Sequence, residues 1–329
     1  MHAVVEQTKT RSEWPARRTL RALGIGPSSY YRWLRQEAWA REVQDGSPPR
    51  PVQAYEALEE EKEAVRGYAC RHTELRHREL AWRMIDEDVA YVSPSTVYRI
   101  LREANLVCPW RRRTKRRREE LEKAQRPNER WGTDLMYLRI GGGQYYLVTF
   151  LDEYSRYLVH WELLTDMGGV SVGLAAQTAL DKEQNSWEGT KTAPPEIRSD
   201  NGSCYVSREF REVLVQNGLA HQRIKPHCPE ENGLVERSNR TLREALEETE
   251  LIDRQQAEDV LAKIIGWYNG QRLHRALGYL RPVDYYRGQP DELHEARRQK
   301  LARARHRRRE RNLNLKQPTL PLEDPSPSH

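Results

Sequence analysis

The chain has 329 residues, of which 55 are basic and 49 acidic, and its formal net charge is +6. Hydrophobic residues make up 37% and the mean hydropathy is -0.93. No apolar run approaches the roughly 18 residues that a membrane span requires. The N-terminal segment lacks the apolar stretch of a signal peptide, and four scattered cysteines do not form the pattern of a disulfide framework. We therefore expect a soluble protein in a reducing cytoplasm.

Arginine accounts for 45 of the 55 basic residues. A G+C-rich genome would produce this bias, and so would a phosphate-binding surface, for which the guanidinium group is well suited. The distribution favours the second explanation. Residues 111–118 read RRRTKRRR, and residues 297–309 hold eight basic residues in thirteen. Such blocks repel themselves unless a polyanion relieves the charge, so they predict nucleic-acid binding.

The first 110 residues carry two predicted pairs of helices, each joined by a turn. Residues 12–22 and a segment beginning at Pro27 form the first pair, around a glycine turn. In the second pair, Ser93 and Pro94 predict the start of a helix over 94–104. One face of that helix is apolar and predicted to be buried: Val97, Ile100, Leu101 and Ala104. The opposite face would contact a DNA major groove: Ser95, Tyr98, Arg99 and Arg102. The alternative is a pair of helices that only packs on its neighbours.

Beyond residue 128 the pattern changes from helix to strand. Three β-rich stretches, over 130–140, 144–156 and 156–164, predict an antiparallel meander. Helices and short strands then alternate, which predicts a mixed α/β sheet. The helices are expected at 168–184, 207–217, 230–249 and 254–270, and the strands at 196–200 and 221–226.

Three acids lie where this sheet would gather them. Asp134 is within the first strand, Asp200 ends the fourth, and Glu236 lies in the long helix, with 35 residues between Asp200 and Glu236. Together with the motifs WGTD, IRSDNGSCYVS and NGLVERSNRTL, this order resembles the DDE catalytic core of retroviral integrases and bacterial insertion-sequence transposases. The paired helices before the core, and the stretch YN..R.H.ALG after it, resemble the flanks of OrfB-type transposases.

The resemblance implies an RNase H-like mixed-sheet core flanked by small all-α helix-turn-helix domains. It also implies that Asp134, Asp200 and Glu236 hold two Mg²⁺ or Mn²⁺ ions, hard cations that prefer carboxylate oxygen. Zinc is not expected, since the sequence has no CxxC pair and no ordered His-His-Cys-Cys pattern. A purely structural role is the alternative for two acids, Glu236 and Asp152. Glu236 could form an ordinary ion pair with Arg240, and Asp152 is expected to close a turn at Ser155.

The expected DNA contacts fall into two further groups. The basic linker contributes seven residues: Arg111, Arg112, Arg113, Lys115, Arg116, Arg117 and Arg118. The surroundings of the acids contribute five: Asn201, Lys225, Asn232, Arg240 and Arg243. The chain is accordingly divided into a helix-turn-helix unit (1–45), a second such unit (46–110), a basic linker (111–127), the catalytic core (128–248), a helical extension (249–290) and a basic, partly disordered tail (291–329).

The expected function is that of a transposase that binds the terminal inverted repeats of an insertion sequence, frees a 3′-OH and joins it to another strand. Two alternatives stay open: an RNase H-like nuclease without strand transfer, and a catalytically silent DNA-binding regulator. Joining two ends implies at least a homodimer on double-stranded DNA. An upstream OrfA-type partner is conceivable, no membrane is involved, and the location would be the nucleoid of a bacterial cytoplasm.

Overall fold

The computed structural model describes residues 5, 16–26, 30–31, 53–107, 123–187, 194–225, 231–247 and 249–314. The basic run 111–118 and the proline-rich end 316–329, which was expected to be disordered, lie outside these ranges. The chain divides into two compact units, one formed by 1–56 with 306–329 and the other by 57–305. Within the described ranges, every helix is too short or too polar to cross a lipid bilayer.

The smaller unit contains helix α1 (Ala16–Ala22) and a turn in which Gly24 has a φ of +67°. Val5, Leu20 and Tyr30 form its apolar cluster. The Asn312 side chain also belongs to this unit, and it donates to the carbonyl groups of residues 53, 54 and 56. Helix α1 covers part of the predicted helix 12–22, and the remainder lies outside the described residues.

Three helices, α2 (Glu59–Arg71), α3 (His77–Asp86) and α4 (Pro94–Glu103), open the larger unit and share one apolar core. We call them the tri-helical unit. The Ser93 hydroxyl accepts a hydrogen bond from the Thr96 amide and caps α4, as predicted. The predicted buried face of α4 is confirmed at Val97, Ile100 and Leu101. Ala104, the fourth predicted position, lies just beyond the end of the helix and is only partly buried. The other face is exposed at all four positions: Ser95, Tyr98, Arg99 and Arg102.

The centre of the larger unit is a five-stranded sheet in the order β3-β2-β1-β4-β5. Strands β1 (Arg130–Ile140), β2 (Gly143–Asp152) and β3 (Leu158–Leu164) form the predicted antiparallel meander. Strands β4 (Glu196–Ser199) and β5 (His221–Arg223) continue the sheet in parallel pairing. The mixed α/β sheet expected from the sequence is therefore confirmed.

Helices cover both faces of the sheet. On one face lie α5 (Gly169–Trp187), α6 (Ser203–Val206) and α7 (Arg208–Gln216), packed on side chains such as Trp131 and Phe150. On the other lie α8 (Gly233–Leu246) and α9 (Arg254–Gly270), packed on Met136 and Leu147. Since alternate residues of β1 point to opposite faces, Gly132 and Asp134 lie on the same face as Met136, beneath α8.

The end of α9 and the stretch that follows it attach this part of the chain to the sheet. Asn269 accepts from the Leu158 amide at 2.8 Å and donates to the Leu158 carbonyl at 3.0 Å, so it satisfies the backbone of edge strand β3. His274 stacks edge-on against Tyr268, and burial lowers the pKa of its imidazole to about 3. His274 is therefore neutral at pH 7, and it closes the end of the core.

Helix α10 (Pro282–Tyr286) and a long helix α11 (Pro290–Asn314) complete the described chain. The segment from residue 291 was expected to be a partly disordered tail, yet its first 24 residues are helical. The buried positions of α11 include Arg297, Ala304, Arg308 and Asn312. These residues follow helical spacing, but three of the four are polar, so the apolar periodicity that predicts a helix from sequence is missing.

Candidate active site

The register of two parallel strands places Asp134 beside Asp200. Gly132 of β1 lies opposite Arg198 of β4. Asp134 lies two residues after Gly132, and Asp200 lies two residues after Arg198. Residues two apart in a strand point to the same face of the sheet. β4 ends at Ser199, so Asp200 lies at the carboxyl end of its strand. The two carboxylates therefore meet beside the same edge of the sheet.

Glu236 reaches this edge because α8 packs unusually close to β1. A Cβ atom at Gly132 would overlap the side chain of Val235, which is itself almost fully buried. The glycine of the WGTD motif thus permits a close approach of helix and strand. Glu236 follows Val235 directly and is exposed at the rim of the contact.

Hydrogen bonds orient two of the three carboxylates. Asp134 accepts from the side-chain amide of Asn239 at 3.0 Å through Oδ2 and from the Leu135 backbone amide at 2.9 Å through Oδ1. The side-chain oxygen of Asn239 accepts in turn from the Thr149 hydroxyl at 3.2 Å. Asp200 accepts from the Gly202 amide at 2.8 Å. Both acids therefore present fixed oxygen atoms.

The charges of Asp200 and Glu236 act on Asp134. Burial and the negative charges of Asp200 and Glu236 together raise the pKa of Asp134 to about 6, against the hydrogen bonds from Leu135 and Asn239, which lower it. A carboxyl group with two acidic neighbours in a desolvated position favours the protonated form unless a cation joins it. The donor set, carboxylate oxygen throughout, fits a hard divalent cation such as Mg²⁺.

The acids are close enough to interact electrostatically without being drawn together. In the described part of the chain, no group of three or more histidine, cysteine or carboxylate side chains already encloses a space for a metal ion. The alternative expected for Glu236 was an ion pair with Arg240. Both side chains are described and exposed, and they do not form this ion pair.

Asp152 lies apart from the three candidate catalytic acids and has a structural role. It is fully buried and accepts hydrogen bonds from the backbone amides of Ser155 at 2.7 Å and Asn128 at 2.8 Å. Its carboxylate therefore closes the turn between β2 and β3, which confirms the structural interpretation. Burial raises the pKa of Asp152, and the hydrogen bonds from Ser155 oppose that shift.

The residues expected to contact DNA near the acids fall in unlike environments. Asn201 is exposed and donates to the Ile224 carbonyl at 3.1 Å, so it ties the end of β4 to the end of β5. Lys225, Arg240 and Arg243 have exposed side chains. Asn232 differs, since it is 4% exposed at the start of α8. Residues 111–118 lie outside the described ranges.

Sequence reasoning missed Gly132 and Asn239. The signal for Asn239 was present, because it lies three residues after Glu236 and residues with that spacing share a helix face. The signal for Gly132 was its position in WGTD, two residues before the acid, where a missing side chain indicates a close approach of another element.

Two models of the integrase core domain match the chain, one over residues 124–229 and the other over 217–282. A 31.7 kDa protein of insertion element IS407 from Burkholderia multivorans is 29% identical over 249 residues, covering 72% of this chain and 86% of that protein. InsD of insertion element IS2E from Escherichia coli is 30% identical over 202 residues, covering 60% and 92%. The InsD protein of element IS2D, named a transposase, is also 30% identical and is covered over 66% of its length.

Solved structures of low identity are also similar. The simian T-cell lymphotropic virus intasome, in complex with the PP2A regulatory subunit B56 gamma, is 16% identical with a TM-score of 0.45, covering 69% of this chain and 75% of that one. The catalytic domain of Mos1 mariner transposase is 13% identical with a TM-score of 0.39, covering 54% and 83%. By its family models and its insertion-element relatives, the chain belongs to the DDE transposases of the retroviral integrase superfamily, polynucleotidyl transferases with an integrase core domain.

Proposed function

We propose that this transposase binds the terminal inverted repeats of its element, hydrolyses a phosphodiester to free a 3′-OH, and joins that hydroxyl to another strand. The reacting site would be formed by Asp134, Asp200 and Glu236. The observation that carries the proposal is the electrostatic coupling of these acids, in which the charges of the other two raise the pKa of Asp134. A buried acid whose pKa is raised by burial and by two acids from other elements is typical of catalytic sites.

The three carboxylates would hold two Mg²⁺ or Mn²⁺ ions, which would supply charge stabilisation to the attacking and leaving oxygens of an in-line displacement at phosphorus. Hydrolysis and joining are displacements of the same kind, so a single site serves both. Neither step needs a covalent bond between the protein and DNA.

The protein's own contribution is orientation. Asn239 fixes the rotation of the Asp134 carboxylate, and the Gly202 amide fixes that of Asp200. Carboxylates held in this way lose little further freedom when they act, which is the main source of rate enhancement by positioning. Glu236 is exposed, and it would complete the metal site from the helix side.

Two surfaces support DNA binding. The exposed face of α4 carries the hydroxyl, phenol and guanidinium groups expected in a major groove: Ser95, Tyr98, Arg99 and Arg102. Arg240 and Arg243 are exposed on the helix that carries Glu236, where they would neutralise phosphate groups close to the reacting bond. The basic run 111–118 would add affinity that depends on salt. Joining two ends requires at least two copies of the chain on DNA.

A labelled-oligonucleotide assay tests the proposal. The full chain is incubated with duplexes that end in the element's terminal repeat, in the presence of Mg²⁺, Mn²⁺ or EDTA. We expect shortened strands together with longer joined strands, both dependent on the metal. Shortened strands alone would favour a nuclease. Tight end binding without any product would favour a regulator and would contradict the proposed chemistry.

A further inference from the structure

We propose that Arg297 is a positioning residue that clasps the tri-helical unit to the chain's C-terminal extension and thereby fixes where the DNA is cut. The inference rests on the proposed function, since it assumes that α4 reads the element end and that Asp134 belongs to the reacting site. All residues of the clasp lie in the larger compact unit.

The guanidinium group of Arg297 donates hydrogen bonds to three residues in two separate segments of the chain. Its Nε and Nη2 donate to the two carboxylate oxygens of Asp86, at 2.8 and 2.6 Å. Its Nη1 donates to the Gly278 carbonyl at 3.1 Å, and Nη2 also donates to the Tyr279 carbonyl at 2.8 Å. The guanidinium lies 5.0 Å from the ring centre of Trp82. Arginine suits this position because its planar fork satisfies a carboxylate bidentately.

The Arg297 side chain is buried, so its guanidinium group needs hydrogen-bond partners in fixed positions. Arg297 is only 3% exposed, whereas the Asp86 side chain is 41% exposed. A buried cation must be fully hydrogen-bonded, because an unsatisfied one is strongly destabilising. The four hydrogen bonds meet this requirement only if α3 and the turn at 278–279 keep their relative positions.

The turn that receives Arg297 is itself held in an uncommon backbone conformation. Gly278 has a φ of +60° and Tyr279 a φ of +61°. A left-handed conformation is rare for a residue as bulky as tyrosine and costs about 1–3 kcal/mol, so it persists where the surroundings require it. A Cβ at Gly278 would also collide with His294 of α11. The two successive left-handed residues aim two carbonyl groups at one guanidinium.

Lys300, one helical turn further along α11, makes a second attachment. Its ammonium group donates to the Ile85 carbonyl at 3.0 Å and forms an ion pair with Asp88. It also lies 5.9 Å from the ring centre of Tyr91. Ile85 ends the buried face of α3, and Asp88 and Tyr91 belong to the turn that leads into α4. The clasp therefore holds the part of the chain that sets the direction of the recognition helix.

The clasp joins positions that the chain separates by 211 residues. The segment 108–129 connects the tri-helical unit covalently to β1. Helix α11, which comes from the C-terminal part of the chain, provides a second, non-covalent connection through the clasp. If α4 holds the element end, the position of the scissile phosphate over Asp134 depends on this second connection. A displacement of about 1 Å at a reacting centre lowers the rate about 100-fold, so a loosened clasp impairs cleavage without weakening recognition.

The test uses the full chain and three substitutions: Arg297→Ala, Asp86→Ala and, as the matched control, Arg298→Ala. Arg298 is exposed and pairs with Glu295 inside its own helix, so its replacement removes the same charge without opening the clasp. End affinity is measured by fluorescence anisotropy, the cut position by nucleotide-resolution mapping of labelled ends, and folding by thermal melting.

We expect both clasp variants to bind the ends like wild type, to cut them about 10- to 100-fold more slowly, and to spread the cuts over neighbouring phosphates. Arg298→Ala should cut at the wild-type position and rate. If the alanine variants do not fold, Arg297→Lys decides, since it keeps the positive charge but cannot make the bidentate contact with Asp86. Melting points that fall while rate and cut position stay unchanged would overturn the inference. A wild-type chain that cuts no end would instead contradict the proposed function.

Discussion

The side-chain amide of Asn239 lies between Asp134 and Thr149, donating to the first at 3.0 Å and accepting from the second at 3.2 Å. An ionised carboxylate only accepts hydrogen bonds, so the NH₂ group must face Asp134 and the oxygen must face Thr149. Asn239 thus connects the helix that carries Glu236 with the strand that carries Asp134 and with the neighbouring strand β2.

Replacing Asn239 should impair the reaction through Asp134. Asn239→Leu removes the donor that orients the carboxylate, and we expect the rate of end joining to fall about 10- to 100-fold. Asn239→Asp keeps an acceptor for Thr149 but adds a like charge beside Asp134, so it should impair joining more at neutral pH. Asn217→Leu is the control, since Asn217 bonds to the Val213 carbonyl away from the acids. Single-turnover joining rates decide, and an unchanged rate for Asn239→Leu would contradict this role.

Metal binding should depend on pH through Asp134. Its pKa of about 6 lies above the ordinary value of 3.8, so the metal-free fold holds this proton more tightly than the unfolded chain does. The contribution of Asp134 to stability is therefore greatest at low pH and is lost as the pH rises through about 6. A divalent cation requires the ionised form.

We expect Mn²⁺ to raise the melting temperature more at about pH 7.5 than at about pH 5. Asp134→Asn removes the titrating group and should abolish the difference. Thermal melting with and without Mn²⁺ at the two pH values provides the measurement. Equal Mn²⁺-induced rises in melting temperature at the two pH values would show that Asp134 does not take part in metal binding.

The contact between Gly132 and Val235 should control how close α8 lies to β1. Gly132→Ala introduces a Cβ that overlaps Val235, so we expect a loss of about 1–3 kcal/mol in stability and a displaced Glu236 with slower joining. Adding Val235→Ala should recover much of the activity by making room. Gly266→Ala serves as the control, because a Cβ there meets nothing within 4 Å. Failure of the double variant to exceed Gly132→Ala in activity would contradict the steric explanation.

Asp152 should behave as a structural acid. Asp152→Ala removes the acceptor for two buried backbone amides, and we expect the unfolding free energy to fall by about 1–3 kcal/mol for each unsatisfied group. The Mn²⁺-induced rise in melting temperature should survive, in contrast to its loss in Asp134→Asn. Calorimetry on both variants with and without Mn²⁺ separates the roles. Loss of the Mn²⁺ effect in Asp152→Ala would place this acid in the metal site.

The face of α4 should distinguish element ends from other DNA. Arg99→Ala removes an exposed guanidinium, and we expect end binding to weaken by about 1–3 kcal/mol while binding to unrelated duplexes changes little. Arg66→Ala is the control, since Arg66 pairs with Glu59 on α2. Competition binding at fixed salt provides the measurement. Equal losses on both duplexes would indicate a phosphate contact without base recognition.

Much of the fold could be predicted because its signals are local. The alternation in 130–164 gave the three antiparallel strands, and Ser93 with Pro94 gave the start of α4. Helix α9 matched its expected bounds, Arg254–Gly270. Helix α11 was not predicted. It is held by polar contacts between distant parts of the chain, such as that of Arg297 with Asp86, and such contacts leave no periodic apolar pattern in the sequence.

The sequence predicts the three acids of the candidate site, whose catalytic role stays a prediction, and none of the residues that orient them. Their motifs and order indicated which elements carry them, but not which neighbours orient them. Asn239 and Gly132 act through contacts between α8 and β1, and such contacts depend on three-dimensional packing that spacing alone does not specify. For Asn201, the exposed amide gave no indication of its bond to Ile224 on the adjacent chain segment.

The most direct test of the central claim compares Glu236→Gln with Glu244→Gln in end joining with Mg²⁺. Both substitutions remove one exposed carboxylate from α8 and keep its size, but Glu244 lies two turns beyond the site. We expect Glu236→Gln to bind ends normally and to produce neither shortened nor joined strands, while Glu244→Gln retains wild-type products. Joined strands from Glu236→Gln at the wild-type rate would contradict the assignment of the catalytic acids.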